Sequence, residues 1–330
     1  MFLALVLIHE FGHFIAAKAM GVRVNEFAIG FGPKLFKWRW GETEYKINLI
    51  PFGGYCAMEG EDEESADSRA FCNKKAWRRA IIIVAGAFFN LLLGFLIIGG
   101  TLLPQERFLT TKVGEFYPEA VSEQNGLAIG DEIVAVDGRK VFSTVDLSYM
   151  FTGVDDGALD ITVIRDGKKV TLENVKFATE EIDGIDYVTI DFKVYGQKKT
   201  VGSFISQTFK TGLSYGRVVW FSLIDLLTGK YGISAVSGPV GVTAAIGSAA
   251  KQSLANLWPI MALITINLGI FNLLPIPALD GGRLLFIILE MIFRKKIPEK
   301  YESWIHAAGF ALLILVMVLI TAKDIIALVV

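Results

Sequence analysis

The sequence has little charge, only three histidines and only two cysteines. Of its 330 residues, 20% are charged, and the formal net charge of −2 leaves no basic excess that would indicate a nucleic-acid-binding surface. Cys56 and Cys72 form no CxxC pair, which argues against a disulfide framework and a thiolate zinc site. Hydrophobic residues, by contrast, make up 53% of the chain. This composition argues against a soluble protein and favours one that lies in a lipid bilayer.

Four apolar stretches approach or exceed the roughly 20 residues that a membrane-spanning helix needs. They cover residues 2–20, 80–103, 254–293 and 307–320. As one straight helix, the third would extend about 60 Å, about twice the thickness of a hydrocarbon core. Two prolines and the pair Gly281-Gly282 interrupt it, so we expect a span that ends near Leu274, an unwound stretch and then a short helix. The sequence therefore predicts a polytopic α-helical membrane protein with about four transmembrane helices.

Basic residues predict the orientation of these spans. They are Lys74, Lys75, Arg78 and Arg79 before the second span, and Arg294, Lys295, Lys296 and Lys300 after the third. We therefore expect the loops at residues 21–79 and 294–302 to be cytoplasmic, and both termini and the insertion at residues 104–253 to lie outside. Residues 1–20 are expected to be a span rather than a cleaved signal peptide, because no small-residue cleavage site follows them.

The first part of the insertion, residues 104–200, has the pattern of a small β-rich domain. Residues 132–136 have a strand-like sequence, and Asp-Gly pairs at 137–138 and 166–167 predict tight hairpin turns. The pattern GL-x-x-GD-x-I-x-x-V-(N/D)G over residues 126–138 resembles that of a PDZ domain, a fold that binds extended peptides by strand addition. Such a domain, here at residues 112–178, could filter substrates by size, or it could capture a peptide.

Apolar residues recur at helical spacing over residues 204–227, inside a segment at 201–253 that we assign to a surface helix and linker. The pattern predicts an amphipathic helix that lies on the outer membrane surface. The alternative is a helix packed against the β-rich domain.

The first apolar run contains the only strongly polar cluster of the spans, HEFGH. His9 and His13 are four residues apart and share one face of a helix, and HExxH on a helix is a zinc-binding pattern with the glutamate as general base. An ionisable residue at a helix centre in lipid costs about 2.5–3.5 kcal/mol. Structural zinc sites provide about 10–16 kcal/mol of apparent binding free energy, so metal ligation can offset this cost.

A catalytic zinc ion usually takes three protein ligands and leaves one position open. His306 is one candidate for the third ligand, but it lies at the start of the last span. Asp280 is the better candidate, because irregular backbone at membrane depth is tolerated only where it is buried in protein or lines a wet cavity. Asn272 is a further polar group in the same stretch.

Six motifs then occur in a fixed order. They are HEFGH, IGFGPKL (29–35), PFGGY (51–55), the PDZ-like pattern, SGPVGV (237–242) and NLLPIPALDGG (272–282). Together they resemble the site-2 protease family of intramembrane zinc metalloproteases over nearly the whole chain, and the single PDZ-like pattern resembles the bacterial regulator-of-sigma-factor type. The resemblance implies that His9, His13 and Asp280 bind Zn²⁺, that Glu10 is the base, and that Asn272 helps to hold the substrate or the oxyanion.

Three features depart from the family pattern. Only eight residues precede His9, where the family usually has more; Ala87 stands where the family often has proline; and Cys56-Ala57 stands where Val-Lys is common. None of these departures removes a predicted catalytic group.

The resemblance also implies substrates and a location. We expect cleavage of transmembrane segments of single-span membrane proteins, such as anti-sigma factors and signal-peptide remnants, in regulated intramembrane proteolysis after a cut by an upstream site-1 protease. The expected location is the bacterial cell membrane, with the PDZ-like domain extracytoplasmic and the active site toward the cytoplasmic leaflet. Membrane domains would then occupy residues 1–103 and 254–330.

Residues 43–60 suggest a membrane-associated β-hairpin that turns at Gly53-Gly54. It could dip into the membrane beside the zinc and pair with unwound substrate, or be an ordinary cytoplasmic hairpin. Two other functions are open as alternatives: a zinc-carrying adaptor without turnover, which would not need Glu10, and a metal transporter, which would need polar groups spread across the spans.

Overall fold

The computed structural model of the chain describes two compact units. The described residues are 1–61, 63–152, 154, 157–182, 185–230, 232, 236–295 and 298–329. The first unit comprises Met1–Gly94 and Ser237–Val330, and the second comprises Phe95–Val236. The predicted domain boundaries at 103, 200 and 253 stay predictions.

The described elements are helices of 4 to 31 residues and strands of 2 to 17 residues. The helices are α1 (Phe2–Ala19), α2 (Ala76–Leu102), α3 (Val121–Gln124), α4 (Thr144–Met150), α5 (Val201–Leu227), α6 (Pro239–Gln252), α7 (Leu257–Leu273), α8 (Asp280–Phe293) and α9 (Glu299–Val329). The strands are β1 (Val24–Trp40), β2 (Thr43–Met58), β3 (Arg107–Phe116), β4 (Glu132–Val136), β5 (Arg139–Lys140), β6 (Ala158–Arg165), β7 (Lys168–Lys176), β8 (Thr179–Ile182), β9 (Ile185–Val188) and β10 (Phe192–Lys198).

Four of the described helical segments are long and apolar enough to cross a membrane. They are Phe2–Ala19, Ala76–Leu102, Leu254–Leu273 and Lys300–Ile326. The predicted count of about four apolar spans is therefore confirmed, while the orientation of the spans stays a prediction.

The predicted break in the third apolar stretch is confirmed, because α7 ends at Leu273 and α8 begins at Asp280. The intervening turn is too tight for side chains on two residues of α8. A Cβ atom on Gly281 would lie 2.0 Å from the carbonyl oxygen of Leu274, and one on Gly282 would lie 2.6 Å from that of Ile276. The two glycines therefore allow the loop to fold back closely, and this places Asp280 in the first turn of α8.

Strands β1 and β2 pair with each other, and their pairing revises the predicted hairpin. The whole stretch expected to contain both strands, residues 43–60, lies almost entirely in β2, and its partner is β1. The chain reverses at Gly41-Glu42, where Trp40 pairs with Thr43, and Gly41 has a φ of 62°.

The chain does reverse direction before Gly54, as predicted, but it does not form a simple hairpin there. Residues 26–29 of β1 pair in parallel with residues 44–47 and antiparallel with residues 54–57, so the two halves of β2 run in opposite directions on either side of β1. Gly53 has a φ of 77°, and a Cβ atom on Gly54 would lie 2.8 Å from the carbonyl oxygen of Ala28. These glycines therefore serve the reversal and the close approach of β2 to β1.

The motif SGPVGV begins helix α6. Gly238 is its N-cap and Pro239 its first residue, and the N–H groups of Gly238 and Gly241 both donate to Oδ2 of Asp324 on α9, at 2.9 Å each. A Cβ atom on Gly238 would lie 2.9 Å from the same oxygen. The motif therefore forms a helix start that a carboxylate from α9 caps.

The second unit contains the predicted β-rich region. Its main sheet has the strand order β10-β3-β4-β6-β7, and β5 pairs with β4. The two expected Asp-Gly turns are confirmed, because Asp137 and Asp166 have φ values of 46° and 50° and each connects paired strands. The resemblance of this region to a PDZ domain stays a prediction.

Helix α5 extends over the predicted amphipathic segment and packs with its polar face within the second unit. Asp225 accepts hydrogen bonds from Arg139 and Tyr149, and Ser214 donates to Asp146 at 2.6 Å. Its opposite face exposes Val201, Ile205, Phe209, Trp220 and Leu227. The helix therefore packs on the β-rich domain, which was the alternative placement, and its predicted contact with a membrane surface stays a prediction.

Candidate metal centre

Helix α1 presents two histidine rings side by side. His9 and His13 are one turn apart, are 7% and 6% exposed, and have their Nε2 atoms 3.1 Å apart. The i, i+4 spacing predicts this arrangement, because residues four apart on a helix lie one above the other.

Asp280 completes a compact triangle with the two rings. Its Oδ2 lies 3.0 Å from Nε2 of His9 and 3.2 Å from Nε2 of His13. Despite these approaches, this buried oxygen accepts no hydrogen bond with acceptable geometry from any residue that the structure describes. Three possible ligand atoms therefore point at one another, and the three residues form a group that could hold a metal ion.

The donor set suits Zn²⁺. Tetrahedral zinc takes histidine nitrogen and carboxylate oxygen at about 2.0–2.2 Å, which places ligand atoms about 3.3–3.5 Å apart. The observed separations of 3.0–3.2 Å require only a small expansion of the triangle. Two imidazoles and one carboxylate also leave a fourth position for water or substrate, as catalytic sites do.

Helices α2 and α7 supply the groups that face the Nδ1 atoms of the two rings. Nδ1 of His13 donates to the carbonyl oxygen of Ile82 at 2.9 Å, which orients the ring and leaves Nε2 with its lone pair toward the triangle. Nδ1 of His9 faces two side-chain amides, with Nδ2 of Asn90 at 3.3 Å and Nδ2 of Asn272 at 3.5 Å.

Helices α1 and α2 approach closely because both have glycine at the contact. A Cβ atom on Gly12 would lie 2.5 Å from the carbonyl oxygen of Ala85, and one on Gly86 would lie 2.3 Å from Nε2 of His13. Gly86 therefore leaves the space that the His13 ring occupies.

The remaining predicted site residues occupy different positions. Glu10 is half-buried beside His9 on α1, near enough to His9, His13 and Asp280 to interact with them electrostatically. Asn272, near the end of α7, lies against His9. His306, the alternative third ligand, instead accepts a hydrogen bond from the N–H of Ala278 at 2.9 Å and lines a cavity of about 470 Å³ beside α8.

Sequence reasoning missed the contribution of α2. Asn90 is a carboxamide inside a long apolar run, and a polar side chain in such a run is itself a functional signal. The roles of Gly86 and of the Ile82 carbonyl oxygen were harder to predict. A single sequence does not indicate which residue contacts a glycine or a main-chain oxygen of an apolar helix.

The fold and the site define a membrane-associated metallopeptidase class, and comparison with known proteins identifies the family. The family model of peptidase family M50 matches residues 1–316. The chain therefore belongs to this family, and the predicted site-2 protease assignment is confirmed.

Individual relatives are similar to this chain over nearly their whole length. The chain is 39% identical to a candidate zinc metalloprotease of Clostridium perfringens, with 98% of this chain and 96% of that protein covered. It is 29% identical to zinc metalloprotease RasP of Geobacillus kaustophilus and 30% identical to RasP of Oceanobacillus iheyensis, again over 98% of this chain and at least 96% of each relative. Family and relatives support the predicted metalloprotease class and Zn²⁺ as the expected cofactor.

Proposed function

We propose that the chain is a membrane-embedded zinc metalloprotease in which His9, His13 and Asp280 hold the ion. The observation that carries this proposal is the triangle of two Nε2 atoms and one Oδ2 atom with sides of 3.0–3.2 Å. Its residues come from a helix of span length and from the start of α8, beside another such helix, so the chemistry takes place in the membrane domain.

The residues around the triangle have separate roles in the proposed hydrolysis. A bound zinc ion would lower the pKa of water toward 7 and withdraw electron density from a peptide carbonyl. The Glu10 carboxylate accepts the proton of the attacking water and passes it to the leaving amine nitrogen. The Asn272 side-chain N–H donates to the carbonyl oxygen as negative charge develops on it.

The proposed substrate is a single transmembrane segment, such as that of an anti-sigma factor or a signal-peptide remnant. Its peptide bonds are protected by helical hydrogen bonds, so the segment must unwind locally. Strand β2 is available to pair with the unwound segment, as in strand addition. It passes close to α1, since a Cβ atom on Gly54 would lie 3.3 Å from Cδ2 of Leu7, two residues before His9.

Regulation would follow from the size of the substrate. In this proposal an upstream protease first trims the extracytoplasmic part, and the β-rich region at residues 112–178 rejects untrimmed proteins. Support comes from the insertion of this region within the chain of the catalytic unit. Its alternative role, peptide capture, predicts that deletion abolishes cleavage of trimmed substrates, whereas a filter predicts that deletion permits cleavage of untrimmed ones.

Glu10→Gln tests the proposed chemistry. The change keeps the size and hydrogen-bonding capacity of the side chain while removing the base, so zinc content should stay near one ion per chain and turnover should disappear. We would measure bound zinc and cleavage of a single-span model substrate by the full chain in detergent. Glu115→Gln, at an exposed glutamate of the second unit, is the matched control.

The outcomes separate the competing functions. Substantial cleavage by the Glu10 variant would remove this residue from its role. A wild-type chain that binds zinc but cleaves no membrane segment would support an adaptor, and zinc movement across vesicle membranes would support a transporter.

A further inference from the structure

Asn90 is a fully buried side-chain amide in the middle of a membrane-spanning helix. It is 0% exposed, and its Nδ2 lies 3.3 Å from Nδ1 of His9. Its Oδ1 is buried and has no hydrogen-bond partner among the residues that the structure describes. An amide that leaves one end unsatisfied in an apolar setting is costly, so its position beside a metal-binding ring needs a physical reason.

The chemistry of histidine supplies that reason. An imidazole that binds a metal through Nε2 carries its proton on Nδ1, and that N–H needs an acceptor. His13 has one, the carbonyl oxygen of Ile82 at 2.9 Å. His9 directs its Nδ1 at Asn90 in the corresponding way, two helical turns further along α2.

We infer that Asn90 is a positioning residue for zinc: its Oδ1 accepts the Nδ1–H of His9 and fixes the tautomer that leaves Nε2 for the ion. The two ends of a carboxamide have nearly the same shape, so a half turn about χ2 exchanges them. That half turn gives Oδ1 the donor that it otherwise lacks. The inference rests on the proposed zinc site and adds the group that orients its first ligand.

The surroundings favour Asn90 over Asn272 for this task. Asn272 is half-buried, and its amide is further from His9, at 3.5 Å, so it can face a substrate. The main chain at Asn90 is also fixed to α7, because its oxygen accepts a hydrogen bond from Thr265 at 3.1 Å. Helix α2 therefore provides the acceptor for each of the two histidines.

The experiment compares the zinc affinity of full-length variants in detergent by competition with a chelator. Asn90→Leu keeps the volume and removes the acceptor, and should weaken zinc binding by about 10–100-fold, the usual effect of losing such a partner. Asn90→Asp retains an acceptor and should stay within about tenfold of the wild type. Thr101→Val, which removes a hydroxyl that donates to the Ile98 carbonyl oxygen on the same helix about three turns from Asn90, is the matched control and should bind zinc like the wild type.

Several outcomes would overturn the inference. One is an Asn90→Leu variant with wild-type zinc affinity, and another is a folded Asn90→Asp variant weakened as much as the leucine variant, which would indicate packing alone. The aspartate variant decides the matter if the leucine variant does not fold. His9→Ala is the reference: if it retains the zinc affinity of the wild type, the proposed site itself fails, whereas its loss of zinc beside an unaffected Asn90→Leu refutes only the role of Asn90.

Discussion

Gly86→Ala adds one carbon atom beside the His13 ring of the candidate metal centre. The added Cβ would lie 2.3 Å from Nε2 of His13, whereas non-bonded heavy atoms settle at about 3.5–4.0 Å. Either the ring or helix α2 must therefore move by about 1 Å. A displacement of that size typically costs about 100-fold in rate. Because alanine is favoured over glycine in a helix by about 1 kcal/mol, the expected loss is one of function more than of folding.

We expect the Gly86 variant to be produced as a folded protein with weakened zinc binding and about 100-fold slower cleavage of a model transmembrane substrate. Two glycines on the same helix provide controls. Gly94→Ala would place its Cβ 2.4 Å from Cγ1 of Ile266, an apolar side chain, and Gly100→Ala meets nothing within 4 Å among the described residues. The first control reports packing strain without a displaced ligand, and the second reports helix propensity alone.

If Gly86→Ala retains wild-type zinc affinity and cleavage, then the close approach of α2 does not set the position of His13. Equal losses in the Gly86 and Gly94 variants would assign the effect to general overpacking, which costs about 1–3 kcal/mol of stability.

Three further predictions concern the third ligand, the second unit and the orientation in the membrane. Asp280→Ala should lower the zinc content of the purified chain while His306→Gln retains it, and metal analysis that finds full occupancy in the Asp280 variant would identify another third ligand. Hydrogen bonds from Arg139 hold the pKa of Asp225 below its ordinary value. The contribution of the ionised Asp225 to folding stability is therefore complete above about pH 4 and is lost as the pH falls further. Hydrogen exchange in helix α5, corrected for intrinsic rates, should therefore accelerate in acid in the wild type and lose this pH dependence in Asp225→Asn. An engineered cysteine at Lys295 should resist impermeant reagents in intact cells, and its labelling from outside would reverse the orientation.

Local chemical patterns predicted most of the site. HExxH placed two rings on one helical face, and the Pro-rich, Gly-Gly break indicated where a spanning helix would end and offer Asp280. Both signals are short-range, because the spacing of residues within one helix or one turn determines them. The Asp-Gly hairpins of the β-rich region were predictable for the same reason.

Contacts between distant segments were not predictable. The segments before and after the turn expected at Gly53-Gly54 pair with opposite sides of β1 rather than as a hairpin, and the sequence of residues 43–60 does not identify that partner strand. Asn90 was overlooked because its meaning depends on a ring 81 positions away. Hydropathy identified α2 as a span, but it does not indicate which side chains of that span support the metal ligands.

The separation of the proposed metal ligands along the chain has a consequence for biosynthesis. His9 and His13 are synthesised before the second unit, and Asp280 follows only after that unit has been made. At about 5–20 residues per second, roughly 15–50 s separate the two events. A nascent or prematurely terminated chain therefore has two histidines in the bilayer but no complete metal site. We therefore expect proteolytic competence only once the second unit and Asp280 have been made, so that a fragment that ends earlier would not cleave neighbouring membrane proteins.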